Sequence, residues 1–208
     1  MEPATAIFFI AILIMSIVIH EVAHGYVAEM LGDPTARMAG RLTLNPLPHL
    51  DMMGSIILPL ILVVTQAGFV FGWAKPVPYN PYNLRKGKWG PAIVAIAGPL
   101  SNIFFALIFG MVLRFGGGLG LPEAFIDISV YIVFINILLA VFNMIPVPPL
   151  DGSKVLSAFL PYRHMHMMEQ LERYGFIVIL FIVFFLWESV VAPIVGLIFY
   201  LITGSKIF

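Results

Sequence analysis

Long apolar stretches alternate with short polar connectors along this chain. Four of the stretches hold about 20 or more residues, the length at which a helix crosses roughly 30 Å of hydrocarbon. They are residues 4–28, 91–113, 128–150 and 175–204. The last is too long for one straight span, so Pro193 predicts a break followed by an interfacial helix. The pattern predicts a polytopic membrane protein.

Three connecting segments do not fit this simple pattern. Residues 52–66 are apolar but short, and Pro59 interrupts them, so we expect a segment that is only half-inserted. Residues 38–48 and 68–83 are rich in Pro and Gly, and their alternation and aromatic residues predict short β segments. The expected fold class is therefore an all-α polytopic membrane protein. It would have about four spanning helices, re-entrant or half-inserted segments and short membrane-associated β strands.

Basic residues are concentrated in three connectors. The three sets are Arg37 and Arg41; Lys75, Arg85, Lys86 and Lys88; and Lys154, Arg163 and Arg173. The positive-inside rule favours the cytoplasmic side for all three, which requires that residues 52–66 do not cross. This orientation predicts an extracytoplasmic N-terminus.

Composition narrows the classes of function. Hydrophobic residues make up 61% and charged residues 11% of the 208 residues, whereas soluble domains carry about 25% charged residues. The net charge is zero, so nothing points to nucleic acid as a partner. The chain has no cysteine, which excludes thiolate zinc sites and leaves His, Asp and Glu as metal ligands. The first apolar stretch lacks a basic n-region, and we interpret it as a retained span.

Three polar residues stand at the end of the first apolar stretch, in the pattern His20-Glu21-Val22-Ala23-His24. On a helix, positions i and i+4 lie on the same face, so both imidazoles can reach one metal ion. Glu21 can then take a proton from a metal-activated water. The alternative is that the two histidines snorkel or bond to neighbouring helices.

A catalytic zinc site needs a third protein ligand. Asp151 is the best candidate, because it ends a charge-free apolar stretch that three prolines break. His49 and Asp51 are rivals, although a histidine in a proline-flanked loop is more often structural. His164 and His166, beside Arg163, are expected to be interfacial.

Two motifs in this order, "HEVAHGY" and "NMIPVPPLDG", resemble the site-2 protease family of intramembrane zinc metalloproteases. The segments "LTLNPLPHLD", "FGWAKPVPYNP" and "AIAGPLSN" are similar to its short prokaryotic branch without a PDZ domain. The resemblance covers roughly residues 16–154. The C-terminal span matches only in hydrophobicity.

This resemblance implies roles for particular residues. His20, His24 and Asp151 would hold one Zn²⁺ ion, and Glu21 would be the general base. Asn143 would be a catalytic asparagine that steadies the oxyanion; the alternative is that it bonds backbone groups freed by Pro146.

Substrate contacts are expected on two other parts of the chain. The residues proposed for them are Asn102, Phe71, Gly72 and Trp73. For Asn102 the alternative is helix packing through Gly98 and Ser101. The segment around Trp73 could instead plug the mouth of the cavity rather than pair with substrate.

The resulting functional prediction is an intramembrane zinc metalloendopeptidase of the prokaryotic plasma membrane. It would hydrolyse transmembrane protein substrates in the lipid bilayer, with the active site open to the cytoplasm. Residues 1–208 would form one domain, with a core at about 4–160 and a C-terminal span at about 175–204. The alternatives are a non-proteolytic zinc-binding membrane protein and another HExxH membrane endopeptidase. The sequence leaves the substrate and the oligomeric state open.

Overall fold

The computed structural model describes residues 3–66, 72–118, 120–161 and 165–206. In chain order the α-helices are α1 (Pro3–Met30), α2 (Thr35–Met38), α3 (Leu58–Val64), α4 (Trp89–Phe115), α5 (Glu123–Asn143), α6 (Asp151–Phe159), α7 (Met165–Arg173), α8 (Gly175–Phe181) and α9 (Ala192–Thr203). Wider π-helical turns at Met52–Ile57 and Ile182–Val191 lead into α3 and α9. Short 3₁₀ turns occur at Leu47–His49, Pro81–Asn83 and Gly116–Gly118.

Four of these helical stretches are long and apolar enough to span a membrane. They are Ile7–Met30, Trp89–Gly118, Glu123–Asn143 and Ile177–Thr203. The predicted number of spans is therefore confirmed within the described parts of the chain. The third span, α5, begins and ends earlier than expected. It ends at Asn143 because Pro146, Pro148 and Pro149 follow closely and cannot continue a helix.

The predicted β segments are wrong wherever the structure describes them. Residues 38–48 form the end of α2, bends and part of a 3₁₀ turn, and residues 72–80 have no regular secondary structure and pair into no ladder. The N–H groups of Trp73 and Lys75 bond instead to the carbonyls of Gly54 and His49. Pro76 and Pro78 lack an N–H, so the segment cannot continue a regular ladder. Residues 68–71 lie outside the described residues.

The helix that begins at Met52 is short. Its 13 residues, from Met52 to Val64, reach about 20 Å at 1.5 Å per residue, against about 30 Å of hydrocarbon. Half-insertion of this segment stays a prediction.

The expected break near Pro193 does not occur. Helix continues from Ile177 to Thr203. Pro193 stands at the start of α9, directly after the π-helical turn Ile182–Val191. The hydrogen-bonding pattern changes there from π to α, so a proline without an N–H does not interrupt the helix.

Helix α4 lies at the centre of the bundle and contacts α1, α5, α6 and α9. One apolar core joins α4, α5 and α9 around Ala106, Val133 and Val195. Buried polar side chains, in contrast, gather where α1, α4 and α5 meet. They are Ser16, His20, His24, Asn102 and Asn136. Since burying polar groups between spanning helices costs free energy, this cluster is the candidate functional site.

Candidate active site

His20 and His24 lie one turn apart on α1 and point into the bundle. Their side chains are nearly inaccessible, with residue exposures of 5% and 8%. The two Nε2 atoms lie 3.0 Å apart, and the rings meet edge to face. The helical spacing read from the sequence therefore brings the same ring nitrogen of each histidine to one point.

Asp151 reaches this point from the start of α6. Its Oδ2 lies 3.1 Å from Nε2 of His20 and 3.2 Å from Nε2 of His24. Gly152 makes this approach possible, because any Cβ there would collide with the carbonyl oxygens of Met144 and Ile145. The tight turn between α5 and α6 thus delivers the carboxylate to the two imidazoles.

The outer nitrogens of both rings are occupied. His24 Nδ1 donates to the carbonyl of Val94 at 2.7 Å, and a carbonyl can only accept. His20 Nδ1 bonds to Oδ1 of Asn102 at 2.6 Å. With a proton on each Nδ1 atom, the neutral form of each ring presents an unprotonated Nε2 to the carboxylate of Asp151. Three lone-pair donors therefore converge, namely the two Nε2 atoms and Oδ2 of Asp151, and a cation bound between them would stabilise this arrangement.

The donor set fits zinc in chemistry and in spacing. Histidine nitrogen and carboxylate oxygen are standard zinc ligands, and tetrahedral bonds of about 2.0–2.1 Å separate such ligands by about 3.3 Å. The observed separations of 3.0, 3.1 and 3.2 Å approach that value. Gly98 on α4 leaves the space open, because a Cβ there would lie 2.5 Å from Nε2 of both histidines.

Glu21 lies beside the imidazoles and is half-buried. A ligand atom from each of His20, Glu21 and His24 lies within 4.8 Å of the others. The carboxylate oxygen Oε2 of Glu21 accepts the backbone N–H of Val77 at 2.8 Å. The connector at residues 72–80 is therefore tied directly to Glu21, the acidic residue of the motif.

Comparison with known proteins identifies the family. The model of "Peptidase family M50" matches residues 120–186. YwhC of Bacillus subtilis (strain 168) is 43% identical over 180 residues, which cover 83% of this chain and 78% of YwhC. This chain belongs to peptidase family M50. Rip2 of Mycolicibacterium smegmatis is 28% identical over 174 residues, or 80% of this chain and 62% of Rip2. Both relatives bear the printed name "Putative zinc metalloprotease".

Membership of the family indicates the reaction and the cofactor of this M50 peptidase. It is a zinc metalloprotease, and Zn²⁺ is its cofactor. No solved structure matches the chain. The roles of individual residues therefore depend on the geometry above.

His49 and Asp51, the other candidates for the third metal ligand, contact backbone groups of this M50 peptidase. His49 is 1% exposed, and its Nε2 lies 3.0 Å from the carbonyl of Thr43. Asp51 caps the helix that begins at Met52 by accepting the N–H of Gly54 at 2.7 Å. His164 lies outside the described residues, as does the side chain of His166.

Asn143 and the proposed substrate-binding residues stay predictions. Asn143 ends α5, and its Nδ2 donates to the carbonyl of Leu139 at 3.0 Å. Phe71 lies outside the described residues. Gly72 packs on the carbonyl of Gly54, and the half-exposed ring of Trp73 covers Gly54.

Asn102 is fully buried, and its side chain bonds to residues of α1 and α5. Its Oδ1 meets His20, and its Nδ2 lies 2.8 Å from Asn136 Oδ1 and 3.4 Å from the carbonyl of Ser16. Asn136 and Ser16 carried no predicted role, although a polar residue within an apolar span is the signal that could have marked them.

Asp33 is a third residue that sequence reasoning missed. It is fully buried just after α1 and accepts hydrogen bonds from Thr35 Oγ1 at 2.6 Å, the N–H of Asn80 at 2.7 Å and Nδ2 of Asn83 at 2.9 Å. Burial alone would raise the pKa of Asp33, but these hydrogen bonds outweigh it and lower the pKa. Asp33 thereby anchors the connector that carries Val77 to Glu21.

Proposed function

We propose that this M50 peptidase cleaves peptide bonds of transmembrane protein segments within the bilayer, with His20, His24 and Asp151 as the zinc ligands. The observation that carries the proposal is the depth of the site. His24 lies six residues before the end of the span Ile7–Met30, or about 9 Å along the helix axis. Both imidazoles are buried between spanning helices, so a substrate bond must enter the membrane region to reach them.

The reaction is peptide-bond hydrolysis. When bound, zinc supplies Lewis acidity, which makes a water molecule more acidic and polarises the scissile carbonyl. Glu21 takes the proton of the attacking water and delivers it to the leaving amine. The N–H of Val77 holds Oε2 of Glu21 at 2.8 Å, which fixes the carboxylate beside the two imidazoles. Asn143 donates its amide to the oxygen of the scissile carbonyl as negative charge develops there.

The substrate must unwind before cleavage, because helical peptide bonds are hydrogen-bonded and sterically shielded. The connector that begins at Gly72 is non-helical over residues 72–80 and passes beside Glu21 at Val77. Its inward N–H groups, on Trp73, Lys75 and Val77, are already bonded within the chain. Pro76 lacks an N–H, so pairing with substrate would use the outward edge at Gly72 and Ala74.

The proposed orientation places the N-terminus outside the cell membrane and opens the site to the cytoplasm. The chain has 11 Lys and Arg residues. All but Arg114 and Lys206 fall in sequence between Met30 and Trp89 or between Asn143 and Ile177, the two connectors that share one side of a four-span protein. The positive-inside rule makes that side cytoplasmic. We further propose that residues 1–208 act as one catalytic domain.

Three variants test the proposal in purified protein. Glu21→Gln should keep zinc and lose cleavage of a transmembrane reporter in liposomes. His24→Ala and Asp151→Ala should lose both zinc and cleavage, because each removes a ligand. Metal analysis and the cleavage assay are run on the same samples. Cleavage by Glu21→Gln at the wild-type rate would refute the mechanism, and normal zinc in Asp151→Ala would favour an endopeptidase with a different third ligand.

A further inference from the structure

A chain of buried side-chain amides connects α5 to the zinc-facing imidazole of α1. It runs from the carbonyl of Ile132 through Asn136 and Asn102 to Nδ1 of His20. We propose that Asn136 is a positioning residue, which acts through Asn102 to fix the proton and the ring orientation of His20. The inference rests on the proposed role of His20 as a zinc ligand.

The direction of every hydrogen bond in this chain follows from its first member. The carbonyl of Ile132 can only accept, so the Asn136 atom 2.8 Å away is the amide nitrogen. The other end of Asn136 is then an oxygen, which accepts from Nδ2 of Asn102 at 2.8 Å. Asn102 therefore turns its oxygen to His20, and Nδ1 of His20 must carry the proton that bridges the 2.6 Å contact.

The consequence lies at the other nitrogen of the ring. A neutral imidazole with a proton on Nδ1 has a lone pair on Nε2, the atom that faces His24 and Asp151. If the amide of Asn102 turned around, its NH₂ would face Nδ1 and favour the proton on Nε2, which blocks metal binding. Asn136 prevents that rotation, because a turned Asn102 would bring two oxygen atoms together.

Burial gives the amide chain its influence. The exposures of Asn102, Asn136 and Ser16 are 0%, 2% and 5%. Solvent therefore offers Asn102 little alternative partner, and each misdirected bond would leave a buried polar group unsatisfied. Ser16 supports the same arrangement, since its Oγ accepts from Nδ2 of Asn136 at 3.0 Å. His24 gains the same tautomer independently, from the carbonyl of Val94.

Zinc affinity tests the inference without depending on proteolysis. Asn136→Leu should raise the zinc Kd by about 10–100-fold, the usual effect of losing the partner of a metal-ligating histidine. Competition with a chromogenic chelator measures the Kd on the whole detergent-solubilised protein. Asn136→Ala serves as a second variant if leucine prevents folding, which thermal unfolding monitors. The matched control is Ser129→Ala: Ser129 is fully buried on the same helix, and its hydroxyl bonds to the carbonyl of Phe125 on that helix rather than to the amide chain.

Two further variants separate positioning from packing. In its protonated form, the Asn136→Asp side chain keeps an oxygen toward Asn102 and a donor toward Ile132, so the rise in zinc Kd should stay well below the about 10–100-fold expected for Asn136→Leu. The double variant Asn102→Leu/Asn136→Leu should bind zinc no more weakly than Asn102→Leu alone, because both act through one path. The absorption spectrum of the Co²⁺-substituted protein should change in Asn136→Leu and return in Asn136→Asp.

The zinc Kd values of these variants decide whether Asn136 positions His20 or only packs the bundle. Unchanged zinc Kd in a folded Asn136→Leu or Asn136→Ala overturns the inference. An equal loss in Ser129→Ala, or additive losses in the double variant, also overturns it, since either result indicates general loosening of the bundle. Wild-type protein that binds zinc but does not cleave a membrane reporter would refute the proposed function and leave this inference standing.

Discussion

A single methyl group at Gly98 should separate folding of this peptidase from zinc binding. Gly98 lies on α4 opposite the two histidines of α1. In Gly98→Ala the new Cβ would lie 2.5 Å from Nε2 of His20 and of His24, and 2.6 Å from Cε1 of His20. The methyl group would therefore occupy the space into which the two Nε2 atoms proposed to bind zinc point.

The size of the effect follows from these distances. Non-bonded heavy atoms pack at about 3.5–4.0 Å, so the imidazoles or α4 must move by about 1 Å or more. Overpacking of this kind costs about 1–3 kcal/mol of folding free energy, which a folded bundle can tolerate. Zinc coordination tolerates deviations of only about 0.2 Å in ligand distance. We therefore expect the zinc Kd to rise at least about 100-fold while the protein remains folded.

Gly110→Ala provides the matched control. Gly110 lies on the same helix, and a Cβ there would collide with Ile202 of α9, away from the histidines. Both variants should lower the unfolding temperature in detergent, but only Gly98→Ala should lose zinc in metal analysis and chelator competition. Full zinc content with normal affinity in Gly98→Ala would refute the assignment of this space to the ion. Equal zinc loss in both variants would show that helix packing alone is responsible.

Three further predictions concern the surroundings of the site. The lowered pKa of Asp33 means that its charged form stabilises the fold. This stability is present above about pH 4 and is lost as the pH falls through the folded pKa. Asp33→Ala should lower the free energy of unfolding by about 1.5–3 kcal/mol at neutral pH. The unfolding temperature of this variant should fall less on acidification than that of wild type. An unchanged pH dependence would contradict this role of Asp33. Val77→Pro removes the N–H that holds Glu21, so kcat should fall about tenfold or more with zinc unchanged. Val77→Ala keeps the N–H and is the control, and equal losses in both would discount the hydrogen bond. Asn143→Ala should keep zinc and lower kcat by about 10²–10³; a change confined to KM would argue against an oxyanion role.

Several features were predictable from local sequence because local physics determines them. The four spans follow from apolar length alone, and the shared face of His20 and His24 follows from helical periodicity. The interruption before Asp151 follows from prolines that cannot continue a helix. The expected β segments failed for a related reason. Alternation and aromatic content resemble a strand, but the N–H groups in residues 72–80 bond elsewhere. Those of Trp73 and Lys75 bond to the carbonyls of Gly54 and His49. Those of Val77 and Asn80 bond to the carboxylates of Glu21 and Asp33 rather than to a neighbouring strand.

The sequence by itself determined which residues could bind a metal and that they lie in or beside spanning helices. Only the tertiary structure decided which of them meet, because Asp151 and His20 are 131 residues apart and no local pattern encodes that contact. It also decided the roles argued for Gly98 and Asn136. A glycine and an asparagine in apolar spans are compatible with simple helix packing. Their significance depends on distances between α1, α4 and α5 of a few ångströms, which side-chain packing sets only when the whole bundle has formed.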